Sequence, residues 1–508
     1  MSVIGLPLSP PMLRRCLPAL ASLALLLGAT PARAIEKVVL QLPLLDFGFT
    51  VKLSELENPE SLWQGTSDLA ELNRATNGVV GRRLREIFDT PLPVETRLVI
   101  NQAAGTPLLQ QILLLVSALG QVEGLPPDLS GNDLTEVLNR ASSTGDLSLY
   151  TFLRAIPGES VTVDLPRALA ALQRMALQQK QARAVIQGQP PVSIDPALSA
   201  PGGRPVRRSV VRLATPHRPQ PLAVVLVEPE RDANGQVVVI SHGLWDSPES
   251  FEGWANHLAS HGYRVALPNH PGSDADQQRA MLSGQTPPPG AEELRLRPLD
   301  VSAVIDDLKA DRVVVVGHSW GATTALQLAG TQPSSARLLE RCADLQDPQR
   351  NLSWVLQCSF LTSADRAGLV DSRVVGVLAV SPPMRLLFDY GAAQSMQARA
   401  LVVTGSRDWV VPPDPEALDI PQTAFSYGHQ IVVADGGDHF NLRASAEGQG
   451  GPLRGLVLAW TQAVFAAGEA ARPSLNAPPL LAPAGWGNTE IPLVAVPVPA
   501  AAGPGSRS

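Results

Sequence analysis

The sequence predicts an α/β fold: a mostly parallel eight-stranded sheet with helices on both faces and a helical cap, preceded by a small, mainly helical domain. Three observations predict it. Between 206 and 470, short valine-rich runs alternate with helical stretches, as in strands buried on both faces by crossover helices. One run, "VVVVGHSWGATTAL" at 313–326, ends in Ser319 between Gly317 and Gly321 and passes directly into a helical pattern. Polar residues of complementary chemistry stand just past four of the strand ends, where open α/β sheets build their sites.

The chain has 508 residues, of which 44% are hydrophobic and 17% charged, enough for more than one domain. A net charge of -7 without a basic run speaks against a nucleic-acid partner. At the N-terminus, Arg14 and Arg15 precede the apolar stretch "CLPALASLALLLGA" (16–29), and Ala32 and Ala34 occupy the small-residue positions of a cleavage site. Residues 1–34 therefore read as a signal peptide, shorter in its apolar run than the roughly 20 residues of a spanning helix. Cleavage after Ala34 removes three arginines and no acids, so the exported chain, periplasmic or extracellular, is more acidic still.

Residues 35–165 read as a small helical domain of unknown function with accessory strands. "KVVLQLPLL" and "FGFTVKLSEL" alternate as edge strands do, "SVTVDL" echoes the second, and helical patterns lie between, including "PLLQQILLLVSAL" at 107–119. Residues 166–205 supply a helix and a Pro/Gly/Ser-rich linker, "GQPPVSIDPALSAPGGRP". The α/β region follows at 206–470. Its strands are "RRSVVRLAT", "LAVVLVEP", "QVVVISHG", "YRVALPNH", "DRVVVVGH", "VVGVLAVSP", "ALVVTGSRD" and "HQIVVADGG", and its last helix is "LRGLVLAWTQAVFAA". The Pro/Ala/Gly-rich tail, 471–508, carries no periodicity and is expected to be disordered.

The strand ends supply the chemistry. A serine between two glycines at a strand-to-helix turn suits a nucleophile elbow: the hydroxyl is exposed at the tip, and the helix N-terminus faces any oxyanion formed there. An ordinary strand-turn-helix with a serine N-cap is the plain alternative. After "QVVVI" comes Ser241-His242-Gly243-Leu244-Trp245. There the Leu244 N–H, with the N–H of Trp320, offers two oxyanion donors, while His242 braces the turn. Asp408 follows "ALVVTGSR" and His439 follows "HQIVVADGG". Serine is a weak nucleophile; an imidazole must take its proton, and a carboxylate must orient that imidazole. Ser319, Asp408 and His439 are the expected triad. Asp414, Asp435 and Asp438 are rival acids; Asp438 adjoins His439 and cannot readily face it.

In "SHG", "GHSWG", "GSRDWVVP" and "DHFNL" the chain resembles the α/β-hydrolase superfamily over roughly 206–470. Its whole layout, through "FTVKLSELE" and "VTVDLPRALAAL", is similar to secreted cyanobacterial hydrolases with an N-terminal domain of unknown function. More distantly it resembles the platelet-activating-factor acetylhydrolase and dienelactone-hydrolase groups. The resemblance implies cleavage of short-acyl or lipid esters through an acyl-enzyme. There is a departure: where the first group carries its acid, this chain reads "AVSPPM", with Ser381 and no aspartate, and Asp389 lies farther on. The acid therefore moves to Asp408. A serine nucleophile likewise argues against a true dienelactone hydrolase.

Residues 331–372 form an insertion expected to cap the pocket, with Cys342 and Cys358 as a disulfide candidate or as two small buried hydrophobes. Trp354 and Phe360 line an acyl site or form the cap's own core; Trp245 and Trp409 are further pocket candidates. "SGQTPPPGAEELRLRPLD" at 283–300 is expected to be a rim loop. The expected protein is an exported serine carboxylic-ester hydrolase that uses no metal and no organic cofactor. Its expected partner is a small-molecule or lipid ester, with at most weak contact to a membrane surface. An amidase or peptidase with the same triad, and a binding protein on a hydrolase fold, are the alternatives.

Overall fold

The computed structural model describes residues 35–41, 48–89, 120–122, 137, 140–141, 148–156, 158, 160–344, 347, 349–419, 422–444 and 450–497. The expected signal peptide, the expected helix at 107–119 and the end of the tail lie outside them. The chain divides into two compact units, the second beginning at Asp164 for its continuous part.

In the first unit, strands β1 (Lys37–Gln41) and β2 (Gly48–Lys52) pair antiparallel. With β3 (Gly120–Val122) and β4 (Ser160–Asp164) they form a four-stranded sheet in the order β2-β1-β4-β3. Helices Asp68–Ala75, Val79–Asp89 and Leu149–Ala155 occur where periodicity predicts them. A "mainly helical" reading thus understates the sheet, whose short strands alternate weakly. Glu55 is buried because the Thr66 and Ser67 N–H groups donate to its carboxylate, which ties a loop to the start of a helix.

The second unit is built on nine strands: β5 (Val206–Leu213), β6 (Leu222–Pro229), β7 (Val237–Ser241), β8 (Arg264–Pro268), β9 (Val313–His318), β10 (Val374–Val380), β11 (Arg399–Gly405), β12 (Gln430–Ala434) and β13 (Leu493–Ala495). The order is β13-β12-β11-β10-β9-β7-β8-β6-β5. Pairs from β8 to β12 run parallel, and antiparallel pairs lie at the two margins. Strand residues alternate between two cores. Val238, Ile240, Val314 and Val316 face helices Glu252–Ser260 and Arg454–Ala467. Val237, Val239, Val313 and Val315 face helices Glu293–Leu308 and Trp320–Leu328. A strand covered on both faces has no polar alternation, which explains the unbroken valine runs.

The eight expected strands are present, and the ninth corrects the reading of the tail. Residues up to Pro497 follow the sheet margin, with β13 antiparallel to β12 and Trp486 buried. The linker joins them: the Val192 N–H donates to the Leu493 carbonyl at 2.8 Å, and Ile194 bridges Trp486. Both segments lack periodicity because they pack through single residues and isolated backbone bonds; together they cover what would be an open sheet edge. The stretch expected as a rim loop is also different: from Glu293 onward it is helical, and Glu293, Arg297 and Asp300 are buried.

Trp486→Ala is expected to cost about 3–5 kcal/mol, the usual penalty for emptying a buried tryptophan site. Thermal unfolding followed by circular dichroism checks this; an unchanged melting temperature would mean that the tail adds nothing to stability.

Candidate active site

Ser319 sits where β9 ends, with φ 54° and ψ -125°, a conformation that L-residues seldom adopt. The flanking glycines make it reachable. A Cβ on Gly317 would lie 2.1 Å from the Gly321 carbonyl oxygen, and one on Gly321 would lie 2.0 Å from the Ser241 carbonyl oxygen. Only bare backbone fits, so strand, turn and helix close on one another. The Ser319 N–H is held by the Val380 carbonyl at 2.8 Å.

His439 follows β12, and Asp408 follows β11. The Asp408 carboxylate is fixed from three sides. Its Oδ1 accepts the N–H groups of Val410 (3.0 Å) and Val411 (2.8 Å), and its Oδ2 lies 3.0 Å from His439 Nδ1. With a carboxylate on Nδ1, that nitrogen carries the proton and Nε2 keeps its lone pair. The rival acids are engaged elsewhere. Asp435 accepts from Ser406 Oγ and Arg183, and Asp438 accepts the N–H groups of Phe440 and Asn441. Asp389 is exposed on the loop after β10, and Asp414 bonds to neither histidine nor serine among the described residues.

One member of the site escaped sequence analysis. His318, the residue before the serine, donates from Nε2 to the His439 carbonyl at 2.9 Å, and the two rings lie 4.8 Å apart. Burial, reinforced by the neighbouring His439, keeps His318 far below the usual histidine range, so it is neutral. The elbow itself thus holds the loop that carries His439. Only the local "GHSWG" could have hinted at this.

The turn after β7 approaches from the other side. A Cβ on Gly243 would lie 3.1 Å from Ser319 Cβ. The Trp245 N–H is bound by the Ser273 carbonyl at 2.7 Å, whereas no protein acceptor takes the N–H of Leu244 or Trp320 among the described residues. His242 braces the turn as expected: Nδ1 donates to the Gly243 carbonyl (2.8 Å), and Nε2 accepts the His270 N–H (3.1 Å). Asp246, just beyond, pairs with Arg443 at 2.9 Å and so links the turn to the loop after His439.

The four aromatic candidates separate. Trp409 is 47% exposed and stands 6.2 Å from Phe440, itself 52% exposed and set edge-on to His439 at 5.5 Å. These rings flank Asp408 and His439. Trp245 is half-buried and donates to Gln277 at 2.8 Å. Trp354 and Phe360 are buried in the core on one face of the sheet, shared with Val313, Val315 and Trp320; Phe360 packs on Trp320 at 4.8 Å. Cys342 and Cys358 form a disulfide that closes the insertion around them. Among the described residues, no three His, Cys, Asp or Glu side chains gather to hold a metal ion, and no helix is long and apolar enough to cross a membrane.

Five histidines (His242, His257, His270, His318 and His429) are buried and held neutral, His270 down to about 3 and His257 and His429 to about 4, in each case chiefly by desolvation. Unfolding frees each to protonate near 6.5, so stability present above that pH is lost as pH falls below it. Urea midpoints at pH 7.5, 6 and 5 should decline steadily; a flat series would refute the neutral assignment. In the triad, Asp408→Asn is expected to lower kcat by about 10⁴ with little change in fold, measured on any turned-over substrate.

Residues 236–339 match the family described as alpha/beta hydrolase fold. The AB hydrolase superfamily protein YfhM of Bacillus subtilis is 33% identical over 20% of this chain and 32% of its own length. Epoxide hydrolase B of Mycobacterium tuberculosis is 33% identical over 22% of the chain and 28% of its own length. An epoxide hydrolase of Caballeronia sordidicola is 32% identical over 20% and 28%. The chain thus spans about a third of the length of the curated relatives it matches. The matched stretch runs from β7 through the central elbow of a mostly parallel sheet, so that part of the chain is similar to the alpha/beta-hydrolase fold.

Proposed function

We propose that the protein is a serine hydrolase that cleaves carboxylic esters through an acyl-enzyme. The observation that carries the reading is the His439 Nδ1–Asp408 Oδ2 bond of 3.0 Å beside a serine in a strained elbow. Ser319 Oγ attacks the ester carbonyl carbon and passes its proton to His439 Nε2. The tetrahedral oxyanion is met by the Leu244 and Trp320 N–H groups. His439 returns the proton to the departing alcohol. Water then repeats the sequence on the acyl-enzyme, releasing the acid and restoring Ser319.

Two of these relatives are by name epoxide hydrolases, and the residue at the elbow argues against carrying that substrate over. A serine oxygen that opened an epoxide would form an ether. An ether has no carbonyl for water to attack, so the enzyme would not turn over. An acyl-serine does have one. The substrate's apolar part is assigned to the exposed Trp409 and Phe440, which border His439; this favours apolar acyl or aryl esters, lipid esters among them, over small polar ones. The disulfide in the insertion fits an oxidising compartment, in keeping with export through residues 1–34.

p-Nitrophenyl esters from C2 to C12 test the reading. The Ser319→Ala protein should lose on the order of a million-fold in kcat, and Trp409→Ala should raise KM most for the longer chains. Equal rates in wild type and Ser319→Ala would overturn ester hydrolysis at this serine.

A further inference from the structure

Behind the two strand-end turns lies a largely buried set of charges that the triad does not use. Helix Glu293–Leu308 supplies Glu293, Arg297 and Asp300. Arg218 grips both carboxylates, at 2.7 Å to Glu293 and 2.6 Å to Asp300. Asp300 also accepts from His217 (2.8 Å) and from His270 Nδ1 (2.9 Å), and His270 Nε2 meets Ser241 Oγ at 2.9 Å. Burial opposes ionisation of Asp300, but the bonds from His217, His270 and Arg218 reverse that and keep it below the usual carboxylate range. Ser241, His270 and Asp300 repeat the wiring of a triad, yet all three are wholly buried and meet no substrate.

Arg297 is the member that touches the candidate site. Its side chain is completely buried. One end donates to the His242 carbonyl, in the turn that presents Leu244, and the other to Ser273 Oγ at 3.2 Å. Its guanidinium lies over the Trp320 ring at 4.7 Å. Ser273 in turn accepts the Trp245 N–H on its carbonyl. A single cation therefore contacts both segments whose N–H groups are assigned to the oxyanion, one through the His242 backbone carbonyl and the other through the Trp320 side-chain ring. Among the described residues it makes no ion pair within 4 Å; its charge is balanced at longer range by Glu293 and Asp300.

We infer that Arg297 is a positioning residue for the oxyanion hole: it clamps the His242 turn to the Trp320 elbow, so that the Leu244 and Trp320 N–H groups converge, and it adds fixed positive charge behind them. The inference rests on the esterase reading above. A buried cation has a large desolvation cost, and a loop brace alone could be made from neutral groups, so the charge at this place calls for such a role. Burial lowers the Arg297 guanidinium to about 9, against the pull of the nearby Glu293 and Asp300, which leaves it protonated at neutral pH, and the His242 carbonyl and Ser273 Oγ fix its position, the condition for a preorganised site.

The test uses the full chain with Arg297→Met and Arg297→Lys, assayed on a p-nitrophenyl ester and on its thionoester. Sulfur accepts hydrogen bonds poorly, so the ratio of oxo to thiono turnover reports on the oxyanion donors and not on folding. Arg297→Met should lower kcat about 100-fold, with KM changed less than about threefold, and the oxo/thiono ratio should collapse towards one. Arg297→Lys, which keeps the charge and one donor, should fall between. If Arg297→Met does not fold, as judged by its melting curve, Arg297→Lys carries the same comparison. A folded variant that keeps wild-type kcat, or that loses kcat with the oxo/thiono ratio unchanged, overturns the inference. A wild type inert towards both esters would instead defeat the esterase reading itself.

Discussion

The close approach at Gly317 and Gly321 is the constraint on which the rest of the second unit turns. Because neither residue has a Cβ, the helix after β9 can start against the strand ends, and Ser319 is forced into φ 54°. Everything polar in the site is referred to that point. His318 holds the His439 loop, Gly243 lets the neighbouring turn reach Ser319, and the first helical N–H has no protein acceptor among the described residues. Such strain persists only where the surroundings over-determine it. Here the surroundings are four valine-rich strands buried on both faces.

That sheet explains how one side of the chain can hold so many buried charges. The apolar layers on both faces supply the stability, and the strand ends are left to hold polar groups in fixed directions. Asp408 accepts three hydrogen bonds and gives none, so its orientation follows from the backbone around it. The insertion contributes from behind. Its disulfide-closed core places Phe360 on one face of Trp320, and Arg297 occupies another, so the residue after the nucleophile is held from both its neighbours.

Much of this was legible in the sequence for a physical reason. Strands covered on both faces read as unbroken apolar runs, and residues past strand ends are where α/β sheets act, so Ser319, Asp408 and His439 could be found in order. Other parts left no such trace. Strand β13 is three residues long, and the linker packs through scattered backbone bonds at Val192, Ser193 and Asp195 and a bridge at Ile194, so no period marks either. Arg297, His270 and His318 looked like ordinary polar residues, because a buried polar side chain is recognisable only by its partners, which lie 24 to 121 positions away. Trp354 and Phe360 could be lining or core by composition; the fold of the insertion around its disulfide decides for core.

In the proposed mechanism Ser319 is a nucleophile activated by His439. Reaction of the protein with a fluorophosphonate, followed by peptide mass mapping, tests it most directly, since phosphorus traps the serine in a tetrahedral adduct without need of the right ester. One adduct is expected, on the peptide containing Ser319, absent from Ser319→Ala and strongly slowed in His439→Ala. An unlabelled wild type, or an adduct that survives Ser319→Ala, would contradict it.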